Sequence, residues 1–177
     1  MGGSAPVPAR VRVKICGVTR PEDAAVAVTA GASFLGVVFA GGPRRIDAER
    51  ARAVVAAAAD VPVIGVFDDR PVDEILATAR EVGLRGVQLH GGSDAETARR
   101  LRRAGLMVLR VARLAGRADL ERLDRLVDAA DAVVVEPRVP GRLGGTGVAL
   151  DLGLAREARR RLAGAAMVLA GGLTPET

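Results

Sequence analysis

The sequence predicts an α/β fold, a parallel sheet wrapped by helical crossovers, and three observations carry that reading. Apolar runs short enough to be buried strands recur along the 177 residues. Stretches with helical spacing of apolar positions separate them, so strand and helix alternate every twenty to thirty residues or so, a βαβ rhythm. Polar and glycine-rich segments follow many of the strands rather than the first alone. That last point separates the two architectures such a rhythm allows. An open nucleotide-binding sheet places its glycine fingerprint after the first strand, with an acidic residue about twenty residues on. Here only Cys16-Gly17 follows the first strand, while signals also stand at Gly42-Pro43-Arg44, Gln88-Leu89-His90-Gly91, Glu136-Pro137, Gly144 to Gly147 and Gly171-Gly172-Leu173. Polar groups converging from many strand ends form a barrel mouth, so the expected fold is a (βα)8 TIM barrel.

Taken in order, residues 1–9 are small and proline-rich and are expected as a disordered leader, with one barrel domain over residues 10–177. Strands are expected at Arg12 to Cys16, Phe34 to Phe39, Val63 to Phe67, Gly86 to His90, Met107 to Val111, Ala132 to Glu136 and Met167 to Ala170. Helix starts are marked by Pro21 and Pro71 at first helical positions and by Asp47 as a cap. Ser93 with Glu96 three residues on fits a capping box, and a later helix is expected to begin near Asp151. The chain stops at Thr174-Pro175-Glu176-Thr177, a helix start with no helix after it. The barrel is therefore expected to be truncated after the seventh strand, leaving the first and seventh strands as open edges where self-association or a complementary chain could bind.

Composition narrows the function classes. Apolar residues make up 49% of the chain but aromatics only 2%, so the core must be packed from Ala, Val and Leu. The net charge of +5 comes from arginines in helix-like stretches such as Ala98 to Arg103, which read as solvated helix faces. No aromatic platform for stacking bases accompanies them, so no nucleic-acid partner is expected. The N-terminus lacks a basic start and an apolar signal core, no apolar run reaches a membrane span, and one cysteine forms no internal disulfide; a cytoplasmic location and no membrane partner are expected.

The chemistry-bearing residues start on the first strand. Lys14 and Cys16 alternate with Val13 and Ile15, so the only lysine and the only cysteine share one strand face at its carboxyl end. A chemically silent buried cysteine and a reactive one both fit this stretch alone. The late glycine clusters have a physical use, since glycine lets backbone N–H groups approach an anion and a following helix adds its positive end. Tight loops alone would also explain either cluster, but two at successive late strand ends imply a phosphorylated substrate. A lone Cys and a lone His on different strands have no metal-ligand spacing, and no metal is expected.

These motifs together carry a resemblance. Lys14-Ile15-Cys16-Gly17, Gly36-Val37-Val38-Phe39 with Pro43-Arg44, Gly65-Val66-Phe67, Val87-Gln88-Leu89-His90-Gly91, Gly144-Gly145-Thr146-Gly147 and Leu169-Ala170-Gly171-Gly172-Leu173 resemble the phosphoribosylanthranilate isomerase family of tryptophan biosynthesis. The resemblance implies a cofactor-free barrel that performs an Amadori rearrangement with a cysteine base and an aspartic acid. It places the base on Cys16, the anthranilate-contacting arginine on Arg44, and substrate contacts on Lys14, Gln88 and His90, the last equally open to a structural role. Phosphate binding falls on Gly145, Thr146, Gly147, Gly171 and Gly172. The family's acid is an aspartate, whereas this chain has Glu136, whose carboxyl has nearly the same intrinsic acidity but sits one methylene farther out. Pro137 holds it in an extended conformation. A barrel enzyme acting on another sugar phosphate, and a non-catalytic phosphate-binding fragment, stay open beside this reading.

Overall fold

The computed structural model describes residues 11–141 and 147–174. The leader expected over residues 1–9, and Gly145 and Thr146 of the glycine loop, lie outside the described residues. Seven strands alternate with six helices among the described residues. They are β1 (Lys14–Cys16), α1 (Pro21–Thr29), β2 (Phe34–Val38), α2 (Ala48–Ala57), β3 (Val63–Phe67), α3 (Val72–Val82), β4 (Gly86–Leu89), α4 (Ala95–Arg103), β5 (Met107–Leu114), α5 (Leu123–Val127), β6 (Ala132–Pro137), α6 (Leu152–Arg161) and β7 (Met167–Leu169). A 3-10 turn at Arg117–Arg122 leads into α5. All neighbouring strands pair parallel and in sequence order, β1 to β7. The sheet curls enough for Lys14 on β1 to reach Gln88 on β4. The result is a partly closed barrel of seven strands.

Register determines which side chains enter the barrel. Cys16 pairs with Gly36, Gly36 with Ile64, Val66 with Gln88, Gln88 with Leu109, Arg113 with Glu136, and Val134 with Val168. With a period of two, Lys14, Cys16, Gly36, Ile64, Gln88, Leu109, Val111, Arg113, Val134 and Glu136 all lie on the inner face. The lower part of that face is apolar, with Ile64, Leu109 and Val134 buried against one another. Toward the carboxyl ends it turns polar. The outer face packs against the helices in two clusters. Leu35, Val37, Val63, Phe67, Val87 and Leu101 belong to one, and Leu114, Val133, Val135 and Leu162 to the other. Phe39 and Phe67 stack at 4.9 Å, contributing about 1 kcal/mol beyond their buried area.

The helix starts follow local chemistry. Pro21 occupies the first turn of α1, and Asp47 and Asp151 cap α2 and α6 by accepting the Arg50 and Leu154 amides. Two expectations need correction. Pro71 is the cap of α3 rather than its first residue, a shift of one position that leaves its missing N–H outside the helix. The cap of α4 is Asp94, not Ser93: the Asp94 carboxylate accepts the Thr97 amide at 2.7 Å, while the Ser93 carbonyl accepts from Arg110. Strand ends shift too. β1 begins at Lys14 rather than Arg12, and β5 runs on to Leu114 instead of stopping at Val111.

Candidate active site

Cys16 is exposed at the end of β1, which removes the reading of a buried, silent cysteine. Gly36 makes room for it. A Cβ added to Gly36 would lie 2.8 Å from both Cys16 Sγ and Lys14 Nζ, so the thiol and the ammonium share the space above this glycine. Lys14 Nζ donates to Gln88 Oε1 at 3.1 Å, tying β1 to β4 across the inner face. Arg44, on the loop after β2, donates through Nη1 to the Cys16 carbonyl at 3.0 Å. Gly17 has a φ of +81° and faces the Arg44 side chain at under 3 Å from where a Cβ would stand, so only glycine admits this approach.

The second half of the site stands on β4, β5 and β6. Glu136 is 12% exposed in its side chain, and its Oε1 accepts from Arg113 Nε at 3.1 Å and lies 3.5 Å from His90 Nε2. Arg113 also donates through Nη2 to the His90 carbonyl at 2.6 Å. Gln88 on β4 and His90, just past the end of that strand, are both buried. Beside Arg113 and His90 opens a cavity of about 700 Å³, also lined by Arg110, Arg122 and Arg138. Cys16 and Lys14 do not line it; it lies on the β4–β5 side of the mouth. Arg110 is buried on the outer face of β5, its guanidinium donating to the Ser93, Arg125 and Asp128 carbonyls, and desolvation pulls its pKa below the ordinary arginine value.

The structure thus brings Lys14, Cys16, Arg44, Gln88, His90 and Glu136 to one end of the sheet. Of the glycines expected at the phosphate, Gly147, Gly171 and Gly172 are described, and all three have positive φ. Gly171 and Gly172 are also pressed by neighbours. A Cβ on the first would strike the Pro137 ring, and one on the second would strike Val148 and Ala149. Glycine at these positions has a packing cause of its own. Arg113 is the residue that reading the sequence misses. A strand expected to stop at Val111 leaves it out, although continuing the alternation Leu109, Val111, Arg113 puts this guanidinium on the inner face beside Glu136.

Among the described residues, no group of three or more His, Cys, Asp or Glu side chains could hold a metal ion, and no helix is long and apolar enough to cross a membrane. A profile of the N-(5'-phosphoribosyl)anthranilate (PRA) isomerase family matches residues 13–177. The chain is 42% identical over 168 residues to an N-(5'-phosphoribosyl)anthranilate isomerase of Rubrobacter xylanophilus, covering 93% of this chain and 79% of that protein. The crystal structure of the phosphoribosyl anthranilate isomerase of Thermus thermophilus superposes with a TM-score of 0.80 at 37% identity, over 94% of this chain and 80% of that one. Another phosphoribosyl anthranilate isomerase, solved with reduced 1-(o-carboxyphenylamino)-1-deoxyribulose 5-phosphate, superposes with a TM-score of 0.80 at 31% identity, over 95% and 79% of the two chains. On the match of its sequence and its fold, this chain belongs to the N-(5'-phosphoribosyl)anthranilate isomerase family.

Proposed function

We propose that this chain converts N-(5'-phosphoribosyl)anthranilate to 1-(o-carboxyphenylamino)-1-deoxyribulose 5-phosphate by an acid–base Amadori rearrangement, a step of tryptophan biosynthesis carried out in the cytoplasm. The observation that carries this reading is the placement of one thiol and one carboxyl group on the same inner face, with the Lys14–Gln88 hydrogen bond beside the first and His90 Nε2 at 3.5 Å from the second. Glu136 protonates the ribose ring oxygen; the bond from that oxygen to the anomeric carbon breaks, and the anilino nitrogen's lone pair forms the protonated Schiff base. Cys16, as thiolate beside the Lys14 ammonium, then removes the proton from the adjacent ribose carbon. The electrons of that C–H bond form the enolamine and neutralise the Schiff base. Tautomerisation gives the ketone. Acid and base are thus both supplied by side chains, and no cofactor or metal enters the scheme.

Arg44 is assigned the anthranilate carboxylate. Its guanidinium spends one N–H on the Cys16 carbonyl and keeps others for a planar anion. Lys14, Gln88 and His90 contact the ribose portion. Gly147, Gly171 and Gly172, with Gly145 and Thr146, take the phosphate. The relative solved with the reduced phosphorylated product supports a ligand of this class. The working unit is one domain over residues 10–177, and the open β1 edge provides a surface for self-association or a complementary chain. Loss of the fluorescence of N-(5'-phosphoribosyl)anthranilate tests the assignment. The intact chain consumes it, and Cys16→Ser lowers kcat by about a hundredfold or more, since a hydroxyl is a far weaker base than a thiolate. Consumption no faster than in buffer refutes it.

A further inference from the structure

Glu136 stands where the family resemblance calls for an aspartate, one methylene shorter, and the structure shows what holds the longer side chain. We propose that Arg113 is a positioning residue for Glu136, fixing which carboxyl oxygen carries the catalytic proton; this deepens, and rests on, the isomerase reading. Arg113 and Glu136 are register partners on β5 and β6, so both side chains rise from the same inner face at the same height. A guanidinium donates and never accepts. Its Nε–H on Oε1 at 3.1 Å therefore makes Oε1 the acceptor oxygen, and His90 Nε2 stands 3.5 Å from that same atom. The transferable proton then resides on Oε2.

The guanidinium bridges two groups, the Glu136 carboxylate through Nε and the His90 backbone carbonyl through Nη2. Nη2 of Arg113 is anchored on the His90 carbonyl at 2.6 Å, so the guanidinium plane is set by the end of β4 before it meets the carboxylate on β6. Glutamate has one more rotatable bond than aspartate, and an unrestrained carboxyl would sample positions far from the ring oxygen. Errors of about 1 Å in such a group cost on the order of a hundredfold in rate. Arg113 removes that freedom by holding Oε1.

Three measurements decide the matter. Arg113→Met is expected to lower kcat about 10- to 100-fold while KM stays within about threefold, and Arg113→Lys to recover part of the loss. In a Glu136→Gln background Arg113→Met is expected to cost little further, because the proposed effect of Arg113 on the reaction runs through that carboxyl while its bond to His90 is to the backbone carbonyl. Penalties that multiply in the double variant, or near-parental kcat in Arg113→Met, overturn the proposal. Circular dichroism and thermal midpoints are recorded for each variant, and Arg113→Gln takes the place of Arg113→Met if the latter is unfolded at the assay temperature. If the parent chain shows no turnover, the isomerase reading fails, and the positioning claim is read instead from crystal structures of the parent and Arg113→Met. A displaced Glu136 carboxylate supports it, and an unmoved one overturns it.

Discussion

Gly36 shows how far a single atom matters at this site. A methyl group there would press on Cys16 Sγ and Lys14 Nζ, both of them side-chain atoms that can turn away. Gly36→Ala is therefore expected to leave the thermal midpoint within a few degrees yet lower kcat/KM tenfold or more, by displacing the thiol from its working position by something like 1 Å. Turnover equal to the parent's would show that the thiol's place is not critical. Lys14, Cys16 and His90 stand out in the sequence because their types are rare here: one lysine, one cysteine and one histidine among 177 residues. Arg113 could not be found in that way. It is one arginine among many, and only the register with Glu136 distinguishes it from those on helix faces. Arg110, inside the strand expected from Met107 to Val111, is a charged residue in mid-strand that three backbone carbonyls satisfy.

Elements proved readable where the signal was local chemistry and less so where it depended on neighbours. The seven strands fall where apolar runs occur, and α1 and α2 begin at the expected Pro21 and Asp47. The start of α4 lies one residue beyond the sequence expectation because Ser93 and Asp94 are both good caps, and Arg110 takes the Ser93 carbonyl while Asp94 caps the helix. Asp119 in the turn after β5 is a similar case of tertiary chemistry. Its carboxylate accepts the Ala115 amide at 2.8 Å and Arg138 Nη2 at 2.6 Å, joining the loops after β5 and β6. Those bonds hold its pKa below the ordinary carboxylate value, the Ala115 amide foremost. A depressed folded-state pKa contributes stability that is present above the unfolded value, near 3.9, and lost as pH falls through the folded one. Asp119→Asn is accordingly expected to lower the thermal midpoint at pH 7, with the difference from the parent shrinking as pH falls below about 4. A difference that is the same at pH 7 and at about pH 2 would show that the carboxylate's charge contributes nothing.

At the scale of the molecule, the inner and outer faces are organised differently. The outer face is packed against helices at the centre of the sheet, but Val13 and Ile15, which flank Lys14 at the β1 edge, are 48% and 43% exposed. Among the described residues neither β1 nor β7 has a second strand neighbour. Backbone donors and acceptors on such an edge can pair with another chain. The protein is expected to self-associate with rising concentration in light scattering, and Val13→Lys with Ile15→Lys to shift it toward monomer; a monomer at every concentration would remove the edge from consideration. The inner face holds Cys16 and Glu136, proposed as base and acid of one isomerisation. Single-turnover consumption of N-(5'-phosphoribosyl)anthranilate, followed by its fluorescence with the parent, Cys16→Ser, Glu136→Gln and the double variant, tests both roles at once. Rapid decay is expected with the parent alone, and in the double variant a rate close to that of the slower single variant, since one cycle needs both groups. Decay in either single variant within a few fold of the parent would contradict it.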